Sequence, residues 1–221
     1  MEKTSKELKA TISSAYGYGW KTLKEKFIFL FIVSLIMGFV GLPMAAMQGD
    51  EKMSYLHAIL FVFGIAYSFF VLNPVKYGVK WVYLKAVRRQ ESELKEMFDG
   101  FKNYLNVMLA ALVSGAIVGI GFAFLIIPGI VFACRLAFVP YLVMDKKLDP
   151  VKAIEESWRL TKGYGWKLFV MGLLSILIFI TGFVVLIFGV IISVMWIRTA
   201  FAAMYEAVLI EKGETDLPEI K

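Results

Sequence analysis

The five residues Gly163-Tyr164-Gly165-Trp166-Lys167 stand directly before a long apolar stretch, and the same five letters occur at 17–21. Both copies follow a polar segment and precede a run long enough to enter a bilayer. This copy in matching surroundings predicts a repeated unit: a surface helix, a hinge of glycine and aromatic residues, and a membrane hairpin. The predicted hinge and interface residues are Gly17, Trp20, Gly163 and Trp166.

Composition predicts a membrane protein. Of the 221 residues, 59% are hydrophobic and 19% are charged, and the mean hydropathy is +0.72. A soluble domain is about 45–50% apolar and about 25% charged, and one small core could not bury the excess. The length suits a single membrane domain over residues 1–221.

The charged and reactive residues exclude several classes of function. The formal net charge is +6, but the basic residues flank apolar runs, which indicates anionic lipid headgroups rather than nucleic acid. A lone cysteine, Cys134, and a lone histidine, His57, rule out an intrachain disulfide and a cysteine or histidine metal centre. Ser114 and Ser175 have no base in sight. We therefore expect no cofactor, no metal and no enzymatic activity.

The chain contains six candidate spans, since each needs about 20 largely apolar residues. A proline, Pro74, should kink the second span. Pro128-Gly129 predicts the turn between the third and fourth spans. The last turn is predicted at Gly182 or Gly189, and Gly189 is favoured because it gives two spans of similar length. The spans are 27–47, 55–72 with an extension to 87, 104–127, 128–145, and two within 168–210.

The predicted fold is an all-α polytopic membrane protein of six transmembrane helices. They form three helical hairpins, each preceded by a cytoplasmic interfacial amphipathic helix. These helices are expected at 3–16, at 92–101 and from the cap Asp149-Pro150 onward. The hairpin units cover about 1–90, 91–148 and 149–211, followed by a loose polar tail at 212–221.

Basic residues predict the orientation of the chain. They lie before the first span, between the second and third spans, and between the fourth and fifth spans. The second of these groups includes Lys76 and Lys80, at the end of the second span. The other side offers only Lys52. We therefore expect an inner-membrane protein with both termini in the cytoplasm.

Arg135 and Arg198 are the candidate ligand contacts, because both lie inside predicted spans and share the pattern Arg-x-Ala-Phe. A charge at bilayer depth costs about 2.5–3.5 kcal/mol on insertion scales and therefore faces protein, water or a headgroup. Each arginine either binds an anionic group such as a lipid phosphate, or ties helix ends and extends towards the interface. A separate stripe of small residues, Ala111, Gly115 and Gly119, predicts close helix packing.

The second half of the chain resembles a known family. The pattern includes Pro128-Gly129-Ile130, 135–140, Asp149-Pro150, 153–158 and 160–163. It is similar to the membrane domain of glycerophosphoryl diester phosphodiesterases and of related uncharacterised multi-pass membrane proteins. In fused members the phosphodiesterase is a separate domain, which this chain does not contain, so the resemblance implies a lipid-related role but no catalytic activity.

These observations predict a non-enzymatic membrane protein that binds or organises lipid or another amphiphile, with Arg135 and Arg198 as anion contacts. The alternative is a transporter or channel for a small anionic or amphiphilic substrate. The expected partners are anionic lipids on the cytoplasmic side, and a second copy of the chain or another membrane protein is a possible further partner.

Overall fold

A computed structural model describes residues 8–46, 62–184 and 186–214. Every regular element in these ranges is helical. Five helical segments are long and apolar enough to cross a membrane: Val62–Val87, Tyr104–Phe124, Ile126–Asp145, Gly165–Val184 and Gly189–Glu211. A shorter apolar helix covers Phe27–Gly41. The prediction of an all-helical, multi-pass membrane protein is therefore confirmed, while His57, Lys52 and the predicted first turn lie outside the described residues.

The helices are numbered in chain order. They are α1 Ile12–Glu25, α2 Phe27–Ala46, α3 Val62–Val87, α4 Tyr104–Phe124, α5 Ile126–Arg135, α6 Val139–Asp145, α7 Pro150–Thr161, α8 Gly165–Val184 and α9 Leu186–Glu211. A 3-10 helix, Leu94–Phe101, lies between α3 and α4.

The two copies of the repeated pentapeptide adopt different structures. The first lies inside α1, which begins at Ile12 and continues through Gly17 to Glu25, so the predicted hinge at Gly17 is wrong and the chain breaks at Lys26 instead. In the second copy, Gly163 has a φ of +89° and separates α7 from α8, as predicted. Glycine allows this left-handed conformation but does not impose it.

Close helix packing explains the glycine at position 19, in the first copy of the pentapeptide. A Cβ atom on Gly19 would lie 2.8 Å from the backbone nitrogen of Ala200 on α9. The Trp196 indole of α9 donates to the Tyr16 carbonyl at 2.9 Å, and its ring centre lies 4.9 Å from that of Trp20. The α1 helix therefore packs against α9 at close range. Of the helix predicted at 3–16, residues 12–16 lie in α1, and the part before residue 8 lies outside the described residues.

The turn between α4 and α5 lies before Pro128. Leu125 is extended and separates the two helices, so the predicted turn at Pro128-Gly129 is wrong. Pro128 instead occupies the first turn of α5, where a missing N–H leaves no helical bond unmade. Gly129 faces Gly121 across the pair: a Cβ atom on Gly121 would lie 2.9 Å from the Gly129 Cα atom.

The last helix pair repeats this arrangement. Helix α8 ends at Val184 and α9 begins at Leu186, so the turn lies at neither predicted glycine. A Cβ atom on Gly182 would lie 2.6 Å from the Gly189 carbonyl oxygen. In both helix pairs, a glycine on each side of the turn lets the helices approach closely. None of these glycines forms the turn itself.

Two residues of the predicted packing stripe on α4 make no close contact within the described part of the chain. Gly115 and Gly119 are exposed, and a Cβ atom on either would meet nothing within 4 Å among the described residues. Ala111 is half-buried and lines a cavity. Gly115 and Gly119 therefore have no partner helix among the described residues, whereas Ala111 packs against the core.

The chain segments before α1 and after α9 lie at one end of the molecule. The Ala10 amide donates to Glu211 Oε1 at 2.7 Å, and the Tyr164 hydroxyl donates to Glu211 Oε2 at 2.6 Å. Lys146 pairs with Glu214 at 3.3 Å. The first residues of the tail predicted to be loose are therefore held by ion pairs. The Asp149 side chain caps α7 by accepting from the Lys152 amide at 3.1 Å, as predicted.

Candidate functional site

A cavity of about 590 Å³ lies between the helices and is lined by several cationic and polar side chains. Helix α3 contributes two lysines, α4 a serine and α9 an arginine. The lining residues are Met37, Asn73, Lys76, Tyr77, Val79, Lys80, Ala111, Ser114, Ala137, Tyr141, Ile197, Arg198 and Phe201. We call this space the cationic cavity.

Lys76 and Lys80 project into the cationic cavity from one face of α3, because residues four apart on a helix are neighbours. The Lys80 ammonium nitrogen lies 5.7 Å from the centre of the Tyr141 ring. Neither lysine pairs with a carboxylate of the described residues. Both lysines lie in the part of α3 that the sequence predicts as an extension of the second span to residue 87, and the structure shows that this part is continuous with the apolar helix.

A π-helical turn, Ser68–Leu72, precedes Pro74 in α3. Proline has no N–H to donate to the carbonyl four residues earlier, which is that of Phe70. The Tyr104 hydroxyl donates to this carbonyl at 3.4 Å. The irregularity predicted at Pro74 is therefore a π-helical turn, a feature that often occurs at functional sites, and it lies directly before the two lysines.

The Arg198 guanidinium lines the cationic cavity with one unsatisfied nitrogen. Its Nη1 atom and the Ser114 hydroxyl oxygen are both buried without a hydrogen-bond partner among the described residues. The guanidinium carbon lies 5.8 Å from the centre of the Tyr83 ring. Buried donors are nearly always satisfied, because an unmade bond costs about 1–3 kcal/mol and more for a charged group. The cavity therefore has the chemistry of an anion site.

No carboxylate is present among the described residues that line the cationic cavity. Asp145 and Glu206 lie nearest to it along their helices, and Arg88 binds both of them. Lys80 precedes Arg88 by about two helical turns, as Arg198 precedes Glu206, which corresponds to about 12 Å along a helix. Lys80 and Arg198 therefore lie about two turns from the acids that could have neutralised them, and Lys76 lies about one turn further away.

Arg88 joins three helices at the polar end of the molecule. It binds both oxygens of Asp145, with Nη1 at 2.5 Å and Nη2 at 2.8 Å, and its Nε atom donates to Glu206 at 2.7 Å. The Tyr205 hydroxyl also donates to Asp145, at 3.1 Å. Burial alone would lower the pKa of Arg88, but the hydrogen bonds and charges of the two carboxylates raise it well above its ordinary value. We call these four residues the Arg88 cluster.

A second, apolar cavity of about 380 Å³ adjoins the cationic one between α2 and α9. The two cavities share Met37 and Arg198 as lining residues. Gly38 and Gly41 form part of its wall, and a Cβ atom on either would meet nothing within 4 Å of the described structure. Arg198 therefore lies where the two cavities meet, and Lys76 and Lys80 line only the first of them. The remaining wall residues are Ser34, Val190, Ile191 and Val194.

Arg135 lines a different groove, of about 360 Å³, so the two predicted arginines do not share a cavity. Its Nη1 atom is also buried without a partner, and its guanidinium lies 5.6 Å from the centre of the Trp158 ring. The predicted interface residue Trp166 is 74% exposed and forms part of the wall. The other wall residues, apart from Cys134 and Gly165, are apolar: Ile127, Ile130, Val131 and Phe169.

The backbone around Arg135 explains how α7 is attached. Pro140 cannot donate to the Leu136 carbonyl, and α5 ends at Arg135 before α6 begins at Val139. The Arg135 carbonyl, released from the helix, accepts the Ser157 hydroxyl at 2.7 Å. The Arg135 backbone therefore ties α7 to the end of α5, while the Nη1 atom of its side chain stays without a partner among the described residues.

No group of three or more histidine, cysteine, aspartate or glutamate side chains that could hold a metal occurs in the described part of the chain. Comparisons with protein-family models, with curated proteins and with solved structures found no match. The resemblance to the phosphodiesterase membrane domain therefore stays a prediction.

Proposed function

We propose that this chain is a non-enzymatic membrane protein that binds an anionic amphiphile, with the charged group in the cationic cavity. The observation that carries the proposal is the pair of buried, unsatisfied donors, Arg198 Nη1 and Ser114 Oγ, in a space with two further cations and no described carboxylate. If Arg198 served only to tie helices together, acceptors of the protein itself would be expected to bind its guanidinium N–H groups. The groove at Arg135 is a second candidate contact for the same class of ligand.

Replacing Arg198 with glutamine should strongly reduce retention of anionic lipid. A hydrogen bond to a charged group contributes about 1.5–3 kcal/mol, so we expect retention to fall about ten-fold or more. The measurement is native mass spectrometry of the full chain purified in mild detergent from a membrane that contains anionic lipid. Arg159→Gln is the matched control, because Arg159 is exposed and pairs with Glu156 on the surface of α7.

Retention that is equal in the wild type, Arg198→Gln and Arg159→Gln would remove the proposal. Arg135→Gln adds a separate comparison. The two arginines line different cavities, so we expect their sites to be independent. The losses of lipid in the two single variants should then add in the double variant.

We further propose that the chain crosses a bacterial-type inner membrane with six spans in three hairpins. Both termini then lie on the cytoplasmic side. This proposal is supported by the one-sided distribution of lysine and arginine along the sequence. It is also supported by the bond between Ala10 and Glu211, which joins the beginning and the end of the described chain.

Cysteine labelling tests the orientation. In a Cys134→Ser background, a membrane-impermeant maleimide added to intact spheroplasts should label Lys52→Cys and should spare Glu2→Cys and Lys221→Cys until the membrane is opened. Labelling of one terminal cysteine but not the other, before lysis, would contradict an even number of spans.

A further inference from the structure

The number and arrangement of cations in the cationic cavity point to a narrower class of ligand. Resting on the function proposed above, we infer that the site takes a lipid phosphate monoester, with the phosphate among Lys76, Lys80 and Arg198 and the hydrocarbon chain in the apolar groove between α2 and α9.

The charge of the cavity favours two negative charges over one. Lys76, Lys80 and Arg198 supply three formal positive charges, and the electrostatic repulsion between them acts on Lys80. A phosphate monoester carries about −1.5 to −2 at pH 7, since its second pKa is about 6. A phosphate diester carries one negative charge and would leave more of the repulsion in place. Because Lys80 and Arg198 are partly buried and a buried charge needs a partner, the monoester is the better match.

The donors of the cavity also match a terminal phosphate. Three donor types converge there: a guanidinium with a free Nη1, two ammonium groups and the Ser114 hydroxyl. A monoester offers three terminal oxygens, each able to accept a charge-assisted hydrogen bond. A diester offers two such oxygens, and its second ester group would have to be accommodated among the cations.

The adjoining groove provides the place for the chain. Arg198 and Met37 line both spaces, so a phosphate bound to Arg198 lies at the entrance to the groove. Gly38 and Gly41 leave the wall of the groove without side chains, and Val190 and Val194 supply apolar contact. An apolar space with a charge at one end fits an amphiphile better than a free inorganic anion.

The test compares three ligands on the full-length protein in detergent: dioleoyl phosphatidic acid, which is a monoester; dioleoyl phosphatidylglycerol, which is a diester with the same chains; and inorganic phosphate. Binding is measured by native mass spectrometry. We expect the monoester to bind about ten-fold more tightly than the diester, a difference of about 1.4 kcal/mol. Millimolar inorganic phosphate should displace little of it.

Two further measurements keep the test valid if Arg198→Gln fails to fold: substitution of the cavity lysines, and a change of pH with the wild type. Lys80→Gln should reduce the preference for the monoester to about two-fold or less, and Lys76→Gln, at an exposed position of α3, should reduce it in the same direction. For the wild type, lowering the pH from 7 to 5 should also reduce the preference, because the monoester gains a proton near pH 6, while diester binding changes little.

The outcomes separate this inference from the proposed function. Equal binding of monoester and diester, both lost in Arg198→Gln, would overturn the inference and leave the proposed function in place. Displacement of the lipid by an equal concentration of inorganic phosphate would show that the site takes the free anion and would overturn the assignment of the chain. Binding of neither lipid would overturn both.

Discussion

Arg88→Met is expected to destabilise the protein by about 3–5 kcal/mol, the cost of leaving a buried charge without its partner. Arg88 is the cation that neutralises both Asp145 and Glu206, and the Glu206 side chain is only 2% exposed. Removing the guanidinium leaves two carboxylates facing each other with little water. The measurement is thermal unfolding of the purified protein in detergent, followed by intrinsic tryptophan fluorescence.

Arg89 provides the matched control for this prediction. It is the next residue, it carries the same side chain, and it pairs with Glu25 at 3.3 Å on the surface. Exposed pairs of this kind contribute about 0–1 kcal/mol, so Arg89→Met should unfold close to the wild type. Neutralising the released acids, as in Arg88→Met combined with Asp145→Asn and Glu206→Gln, should restore part of the loss. Equal stability of the two single variants would contradict the assigned role of the Arg88 cluster.

Gly78→Ala is expected to destabilise the protein by about 3 kcal/mol, at the upper end of overpacking effects. A Cβ atom on Gly78 would lie 2.0 Å from the Met97 carbonyl oxygen and 2.6 Å from its carbon. Both atoms belong to the backbone of the 3-10 helix, so no side-chain rotation relieves the clash. Gly100, on that helix, approaches α3 in the same way, because its Cβ atom would lie 2.0 Å from the Pro74 carbonyl oxygen.

The same substitution on α4 gives the opposite expectation. Gly115→Ala adds a methyl group where nothing lies within 4 Å and should stabilise the helix by about 0.5–1 kcal/mol, because alanine loses less backbone entropy. Thermal unfolding in the same detergent compares the two variants. Destabilisation by Gly115→Ala would show that α4 packs another surface through this position. A stable Gly78→Ala would show that the 3-10 helix does not rest on α3.

The helical class and most of the spans could be predicted because hydropathy is a local property of the sequence. In a bilayer, a run of about 20 apolar residues can satisfy its backbone hydrogen bonds in few ways other than as a spanning helix. The turns were harder to predict, because Pro128, Gly182 and Gly189 are common both in turns and where helices approach closely. The sequence does not distinguish the two uses, and the structure shows these residues in helices beside the turn.

The cationic cavity and the Arg88 cluster depend on the register between helices, which no single segment contains. Arg198 was predicted because its charge interrupts an apolar run. Lys80 was assigned to the basic side for topology, although its four-residue spacing from Lys76 on an apolar helix indicated a shared face. Arg88, Asp145 and Glu206 are separated by 57 residues or more in sequence, so their meeting could not be inferred from spacing.

An experimental structure of the full chain in lipid nanodiscs that contain phosphatidic acid tests the central claim most directly. We expect density for a phosphate within hydrogen-bonding distance of Arg198 and Lys80, continuing as a hydrocarbon chain between α2 and α9. A carboxylate of the protein itself lying against the Arg198 guanidinium, with no lipid in either cavity, would contradict the account.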